Sequence, residues 1–256
     1  MSIHQTAIID KDASLGNNVT VGPYSVIEGS TVIGDNTVIA NNVTIKAFTK
    51  IGAGCSVHTG AVLGDVPQDL KFSNEKSDLI IGDNNVIREF VTIHRGTRLG
   101  GGETRVGDGN LIMCYCHIGH DCLLSNHVIM SSYSGLAGHV SIQDCAIISG
   151  HAAVHQFATI GRFAFVCGKA GVSRDVPPYM LVEGIPAKVR GVNAVGLKRR
   201  KMSREVMDAL KVAYRTIFRS DKSISQSIED LQNCEEKEFA EVKELIERNR
   251  RLKDAS

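Results

Sequence analysis

"VGPYSVIEGSTVIGDNTVIANNVTIKAFTKIG" (21–52) carries an aliphatic residue at every sixth position: Val21, Ile27, Ile33, Ile39, Ile45 and Ile51. The spacing extends back through Leu15, Ile9 and Ile3 and forward through Val57 and Leu63, eleven aliphatic residues without a miss. It resumes at Ile81, Ile87 and Ile93, slips register, and then runs in steps of six from Val106 to Val172, where only Met130 is not Ile, Leu or Val. Four residues after each aliphatic comes a slot that is mostly small, as at Ala13, Ser25, Thr31, Cys55, Cys116, Cys122, Ala146 and Ala164. A six-residue unit cannot bury itself. Short strands joined by turns can stack coil on coil, lining a narrow prism with one aliphatic and one small residue per face. The expected fold is all-β, a parallel β-helix over residues 1–190.

Two stretches interrupt the period, "DVPQDLKFSNEKSDLI" (65–80) and "GTRLGGGETR" (96–105). Excursions from a solenoid project from one face and often carry function. The repeat ends near "DVPPY" (175–179), where Pro177 and Pro178 cannot donate to a ladder. From Ser203, a candidate N-cap, the period becomes helical through Val206, Leu210, Ala213, Tyr214 and Ile217. Ile224, Ile228 and Leu231, then Phe239, Val242, Leu245 and Ile246, continue it, so residues 191–256 are expected to form a small α-helical domain.

The chain of 256 residues holds 29 Lys plus Arg against 28 Asp plus Glu, a balance that points to neither a nucleic-acid nor a membrane partner. Residues 196–256 hold 15 of the basic and 12 of the acidic groups, which puts any basic surface near the C-terminus. The opening "MSIHQTAIID" has no charged region followed by an apolar core, and no stretch reaches the ~18 apolar residues of a spanning helix. A cytoplasmic protein is expected. Seven cysteines at irregular spacing in a chain of this size read as reduced thiols.

Within "CHIGHDC" (116–122) the repeat decides which side chains meet. Cys116 and Cys122 fall in the small inward slot, while His117, His120 and Asp121 take other positions, so the thiols read as core packing. They cannot close a metal shell with outward histidines, although histidines of neighbouring subunits still can. Three hexads make one coil, so His120, His139 and His155 lie near one seam on successive coils. A neutral imidazole can take a proton from a hydroxyl if a carboxylate supports it, and His120 with Asp121 offers that pair. Gly138, one coil on, can present a bare N–H to an oxyanion. These parts suit acyl transfer.

"QDLK" (68–71), "IHRGT" (93–97), "HIGHDC" (117–122), "LAGHV" (136–140), "AVHQF" (153–157), "DVPPY" (175–179) and "GVNAVGLKRR" (191–200) occur in this order ahead of a helical tail. Together they resemble the UDP-N-acetylglucosamine 3-O-acyltransferases that begin lipid A synthesis, members of the hexapeptide-repeat transferases, over nearly the whole chain. The resemblance implies a left-handed β-helix and a homotrimer with active sites in the grooves between subunits. It also implies no metal or diffusible cofactor, the acyl donor, of the 3-hydroxyacyl class, riding on the phosphopantetheine of acyl carrier protein. It implies His120 as base, Asp121 as its support and the Gly138 N–H at the oxyanion. Gln68, Asp69, Lys71, His117 and His139 are implied at the sugar and phosphates, and His155, Gln156, Asn193, Arg199 and Arg200 at the nucleotide end. Gly168 is implied as the end stop of the acyl groove.

Lys211, Arg215 and Arg219, at i, i+4 and i+8 of the first long C-terminal helix, form a basic stripe expected to dock the acidic carrier protein. Val195 stands where the family often has an acidic residue, and Cys114, Tyr115, Ser132 and Tyr133 also depart from the commonest pattern. These departures leave the acceptor atom open between a 3-hydroxyl and a 3-amino group. A γ-type carbonic anhydrase, which binds zinc through histidines across subunits of a similar β-helix, is the competing enzyme, and a non-enzymatic scaffold the competing class.

Overall fold

The computed structural model describes residues 1–233, 240–245 and 247. Strands of mostly two residues pair in parallel with the strand about one coil further on, for example Thr20–Val21 with Val38–Ile39 and Val26–Ile27 with Thr44–Ile45. They build three sheets of eleven, nine and eight strands, the three faces of a left-handed parallel β-helix. The faces are called first, second and third in the order the chain visits them, beginning with Ser2–Ile3, Ile8–Ile9 and Ser14–Leu15.

The six-residue period appears as burial. Val21, Ile27, Ile33, Ile39 and Ile45 are all buried, and the small slot points inward too, with Ser25, Thr31, Thr37, Cys55, Cys116 and Cys122 in the core. Ile3 is 45% exposed because the first coil has no coil beneath it. Inward hydroxyls answer the backbone of the next coil: Ser25 donates to the Ala40 carbonyl and accepts from the Val43 N–H. Cys122 Sγ likewise lies 3.1 Å from the Ala137 carbonyl. Burial pushes that thiol up to about 12, so it is a packing group rather than a nucleophile.

Each coil turns three corners, and nearly every corner places one residue at positive φ, including Asn36, Phe48, Tyr115, Asp121 and His139. The two interruptions leave from the corner between second and third faces. They are shorter than the sequence suggests, because the third-face strands Asp78–Ile81 and Glu103–Val106 reclaim their last residues. The excursions are therefore 66–77 and 95–102.

The solenoid closes with Met180–Glu183, parallel to Phe165–Val166, and an antiparallel return strand, Lys188–Val192. The chain then forms a short helix the sequence period did not announce, α1 (Ala194–Arg199), followed by α2 (Arg204–Phe218) and α3 (Ile224–Gln232). Ser203 caps α2 by accepting from the Val206 N–H, and Ser223 with Gln226 forms a capping box on α3. Leu210, Ala213 and Ile217 of α2 pack with Leu231, Val242 and Leu245 against Tyr179 and Met180, a second core at the end of the prism. Phe239 and Ile246 lie outside the described residues.

Core position and side-chain size together set what each slot tolerates. Ile118→Ala should cost about 2–5 kcal/mol, since Ile118 is fully buried, whereas Cys122→Ala should cost about 1 kcal/mol or less because alanine already fills that slot elsewhere. Thermal melts of the two variants check the ordering, and Cys116→Ala and Cys122→Ala should keep wild-type turnover.

Candidate active site

The register stacks the histidine segment on itself. His117 and Ile118 pair with Gly135 and Leu136, which pair with Ala153 and Val154. At the corner between second and third faces His120 therefore lies one coil from Gly138 and two from Gln156, while Asp121, His139 and Phe157 follow one another as the positive-φ residues. The seam expected from the sequence is this corner. His155 belongs to it but sits one position earlier in its coil than His120 does.

Neighbouring residues rarely face each other, yet His120 Nδ1 lies 2.7 Å from Asp121 Oδ2. The left-handed backbone of Asp121, at φ 59°, turns its carboxylate back toward the preceding side chain. That carboxylate has no exposed surface and also accepts from the Thr97 N–H (2.7 Å) and the Thr97 hydroxyl (2.8 Å). His139 presents Nε2 3.6 Å from Asp121 Oδ2, sets its ring edge-on to His120 at 5.1 Å and stacks on Phe157 at 4.6 Å. The His120 ring covers Gly138, where a Cβ would lie 2.6 Å from Cε1, so only glycine fits. Among the described residues no acceptor takes the Gly138 N–H.

His120, Asp121 and His139 offer ligand atoms within 4.8 Å of one another, a spacing compatible with a metal ion. The donor set argues otherwise: Asp121 already accepts three hydrogen bonds, and His120 spends Nδ1 on it. An ion there would have to displace them.

Behind this corner His117 Nδ1 is hydrogen bonded to Thr92 Oγ1 at 2.8 Å, and its ring meets His94 edge-on at 5.2 Å. Burial, helped by the nearby His94 and His120, lowers the His117 pKa from 6.5 to about 4, and burial lowers His94 as well. His117 is thus a neutral donor or acceptor at pH 7. Beyond it the outward side of the second face is nearly bare, with Gly135 and Ala153 at the His117 position on the next two coils; at Gly171, on the third, the Ile185 side chain closes over it, where a Cβ would lie 3.2 Å from Cγ2. This smooth strip is bounded by His120 and Gly138 at one corner and by Gly150 and Gly168 at the other. A Cβ on Gly168 would meet only the Gly150 carbonyl, at 3.4 Å, so a side chain there would project outward.

The remaining expected residues are more dispersed. Gln68, Asp69 and Lys71 ride on the first excursion, which leaves the same corner two coils earlier; Gln68 and Lys71 are exposed and Asp69 Oδ1 accepts from the Lys71 N–H. His155, Gln156, Arg199 and Arg200 are exposed. Arg200 lies by Cys145, at the corner between third and first faces, away from His120. Asn193 is 5% exposed, caps α1 through Gly196 N–H and donates to the Phe163 carbonyl. Lys211, Arg215 and Arg219 are all exposed; Lys211 pairs with Asp208, and Arg219, the C-cap of α2, donates to the Tyr214 hydroxyl. Tyr115 and Tyr133 stack with Phe90 and His151 at the far corner of the second face, where Cys114 and Ser132 also meet.

Residues 12–47 and 30–65 match the family model for the bacterial transferase hexapeptide, and residues 175–253 match that for the second domain of UDP-N-acetylglucosamine O-acyltransferase. The acyl-[acyl-carrier-protein]–UDP-N-acetylglucosamine O-acyltransferase of Halorhodospira halophila is 44% identical, covering 90% of this chain and 89% of that one. That of Syntrophobacter fumaroxidans is 44% identical over 96% of both. The chain belongs to this family. A solved UDP-N-acetylglucosamine acyltransferase from Bacteroides fragilis superposes with a TM-score of 0.93 at 38% identity, covering 95% of each chain. Thr97, Gly100 and Thr104 pack around Asp121, contacts that the sequence pattern did not single out. "IHRGT" held a signal for Thr97, but its contact with Asp121 spans 24 residues.

The depressed His117 gives a pH test. In the unfolded chain it binds a proton below about 6.5, in the folded chain only below about 4, so stability is lost as pH falls through that window. The loss is on the order of 2 kcal/mol after allowing for partial exposure. His117→Gln should flatten the fall in melting temperature between pH 7 and pH 4.5, and an unchanged slope would assign the acid sensitivity elsewhere.

Proposed function

We propose that this protein transfers a 3-hydroxyacyl chain from acyl carrier protein to the 3-hydroxyl of UDP-N-acetylglucosamine, the first step of lipid A biosynthesis. The carrying observation is the His120–Asp121 pair with the His120 ring packed against Gly138, whose N–H has no acceptor among the described residues. With Nδ1 held by Asp121, His120 has Nε2 free to take the proton of the sugar hydroxyl. The oxygen attacks the thioester carbonyl, and the oxyanion of the tetrahedral intermediate accepts from the Gly138 N–H. Collapse breaks the C–S bond, His120 returns its proton to the departing phosphopantetheine sulfur, and an ester remains. The donor is carried by its protein, so no resident cofactor enters the scheme.

Gln68, Asp69, Lys71, His117 and His139 hold the sugar and phosphates; His155, Gln156, Asn193, Arg199 and Arg200 hold the nucleotide end. In one chain Arg200 lies by Cys145, at a different corner of the prism from His120. This supports a homotrimer in which the groove between adjacent β-helices unites them. The exposed Lys211, Arg215 and Arg219 receive the acidic carrier protein. Among the described residues no helix is long and apolar enough to cross a membrane, and a carrier-bound donor with a sugar nucleotide acceptor supports a cytoplasmic reaction. The naming of the relatives as O-acyltransferases favours the hydroxyl over the 3-amino acceptor.

His120→Ala should lower turnover about 10²–10⁴-fold with the fold intact, because the side chain lies outside the core. Assaying purified protein with acyl carrier protein loaded with chains of several lengths, and with both sugar nucleotides, checks this. Near wild-type turnover would remove His120 as base.

The bare strip ending at Gly168 favours a long acyl chain of roughly fourteen carbons, each buried methylene contributing about 0.8 kcal/mol. Gly168→Met should block the last few carbons and slow the long donor on the order of 100-fold while sparing a ten-carbon donor. Rates with both donors decide it. An unchanged long-to-short ratio would put the end stop elsewhere.

A further inference from the structure

The second excursion, 95–102, leaves the second-to-third corner one coil before His120 and folds against Asp121. Thr97 is its hub. Its carbonyl accepts from the Gly100 and Gly102 N–H groups, its hydroxyl accepts from the Gly100 N–H, and it is itself 5% exposed. Thr97 also points a two-pronged donor at the Asp121 carboxylate, N–H to Oδ1 and hydroxyl to Oδ2. On the other side the Asp121 N–H donates to the Thr104 hydroxyl at 2.8 Å. The loop is shaped around the carboxylate: a Cβ on Gly100 would lie 2.0 Å from the Asp121 carboxyl carbon.

A carboxylate without exposed surface needs donors, and Thr97 supplies two of the three recorded for Asp121. It also settles an orientation problem. An aspartate on a left-handed corner has several staggered rotamers, and few aim an oxygen at the ring of the preceding residue. The two prongs select one that does. We propose that Thr97 is a positioning residue for the acyl transfer, fixing the Asp121 rotamer and through it the ring orientation of His120. It touches neither substrate. The inference rests on His120 being the base.

Thr97→Val keeps the shape and the main-chain prong but removes the hydroxyl, while Thr97→Ser retains both prongs. Misorienting a catalytic group by ~1 Å costs about 10²-fold. Thr97→Val should therefore lower kcat about 10–100-fold, leaving KM for the sugar nucleotide and the loaded carrier within about twofold, and Thr97→Ser should stay within about threefold of wild type. In an Asp121→Asn background, Thr97→Val should cost less than about threefold more, because its effect passes through Asp121. Wild-type kcat in folded Thr97→Val, equal losses in both backgrounds, or no rescue by serine would each overturn the proposal. Should Thr97→Val fail to fold, Gly100→Ala serves instead: its methyl displaces the carboxylate, and wild-type kcat in that folded variant would overturn the proposal. His120→Ala assayed alongside separates the two failures. An active His120→Ala removes the base and the inference with it, whereas an inactive His120→Ala beside an unimpaired Thr97→Val removes the inference alone.

Discussion

A three-sided coil of about eighteen residues must turn three sharp corners, and each turn needs backbone in the left-handed region. An L-residue there costs roughly 1–2 kcal/mol, least for Asn and Asp. This chain accepts the cost at nearly every coil, with Asn18, Asn36 and Asn42 in the first coils and Tyr115, Tyr133, His139 and Phe157 later. Compensation comes from inside and outside. The same turn drives an aliphatic and a small side chain into the prism, and it throws the corner residue outward onto its neighbours, as in the Phe90–Tyr115–Tyr133–His151 stack.

The proposed catalytic groups exploit that geometry. Asp121 and His139 are corner residues, and Asp121 can reach its own neighbour only because its backbone is left-handed. In an ordinary strand, successive side chains point to opposite faces and the pair would be apart. The excursion before it exists at the same corner because one coil there gives up its regular turn, and the space is filled by Thr97, Gly100 and the carboxylate they enclose.

Much of this was legible in the sequence because burial in a solenoid is periodic. The aliphatic series from Val21 to Leu63 and the small residues Cys116 and Cys122 are inward for the same reason, and the helix beginning after Ser203 announced itself by a change of period and a cap. Less was legible where one local choice is made by a distant partner. The excursions ended earlier than expected because Asp78–Ile81 and Glu103–Val106 pair with each other, a register no local pattern reveals. α1 is six residues long, too short for a period, and Asn193 is taken up by capping it. Thr97 looked like loop because its partner, Asp121, lies 24 positions on.

Coil spacing also bears on the chemistry. Stacked strands lie ~4.8 Å apart, so groups at equivalent positions of successive coils are held at that interval. Attack on a thioester needs a base on one side of the reacting carbon and a donor for the new oxyanion on another, both within hydrogen-bond reach. His120 and Gly138 occupy equivalent positions one coil apart, and the absence of a side chain at Gly138 lets the imidazole pack against the backbone there. Any larger residue at 138 would push the His120 ring away. The repeat that builds the core thus also sets the distance across which the proposed acyl transfer takes place.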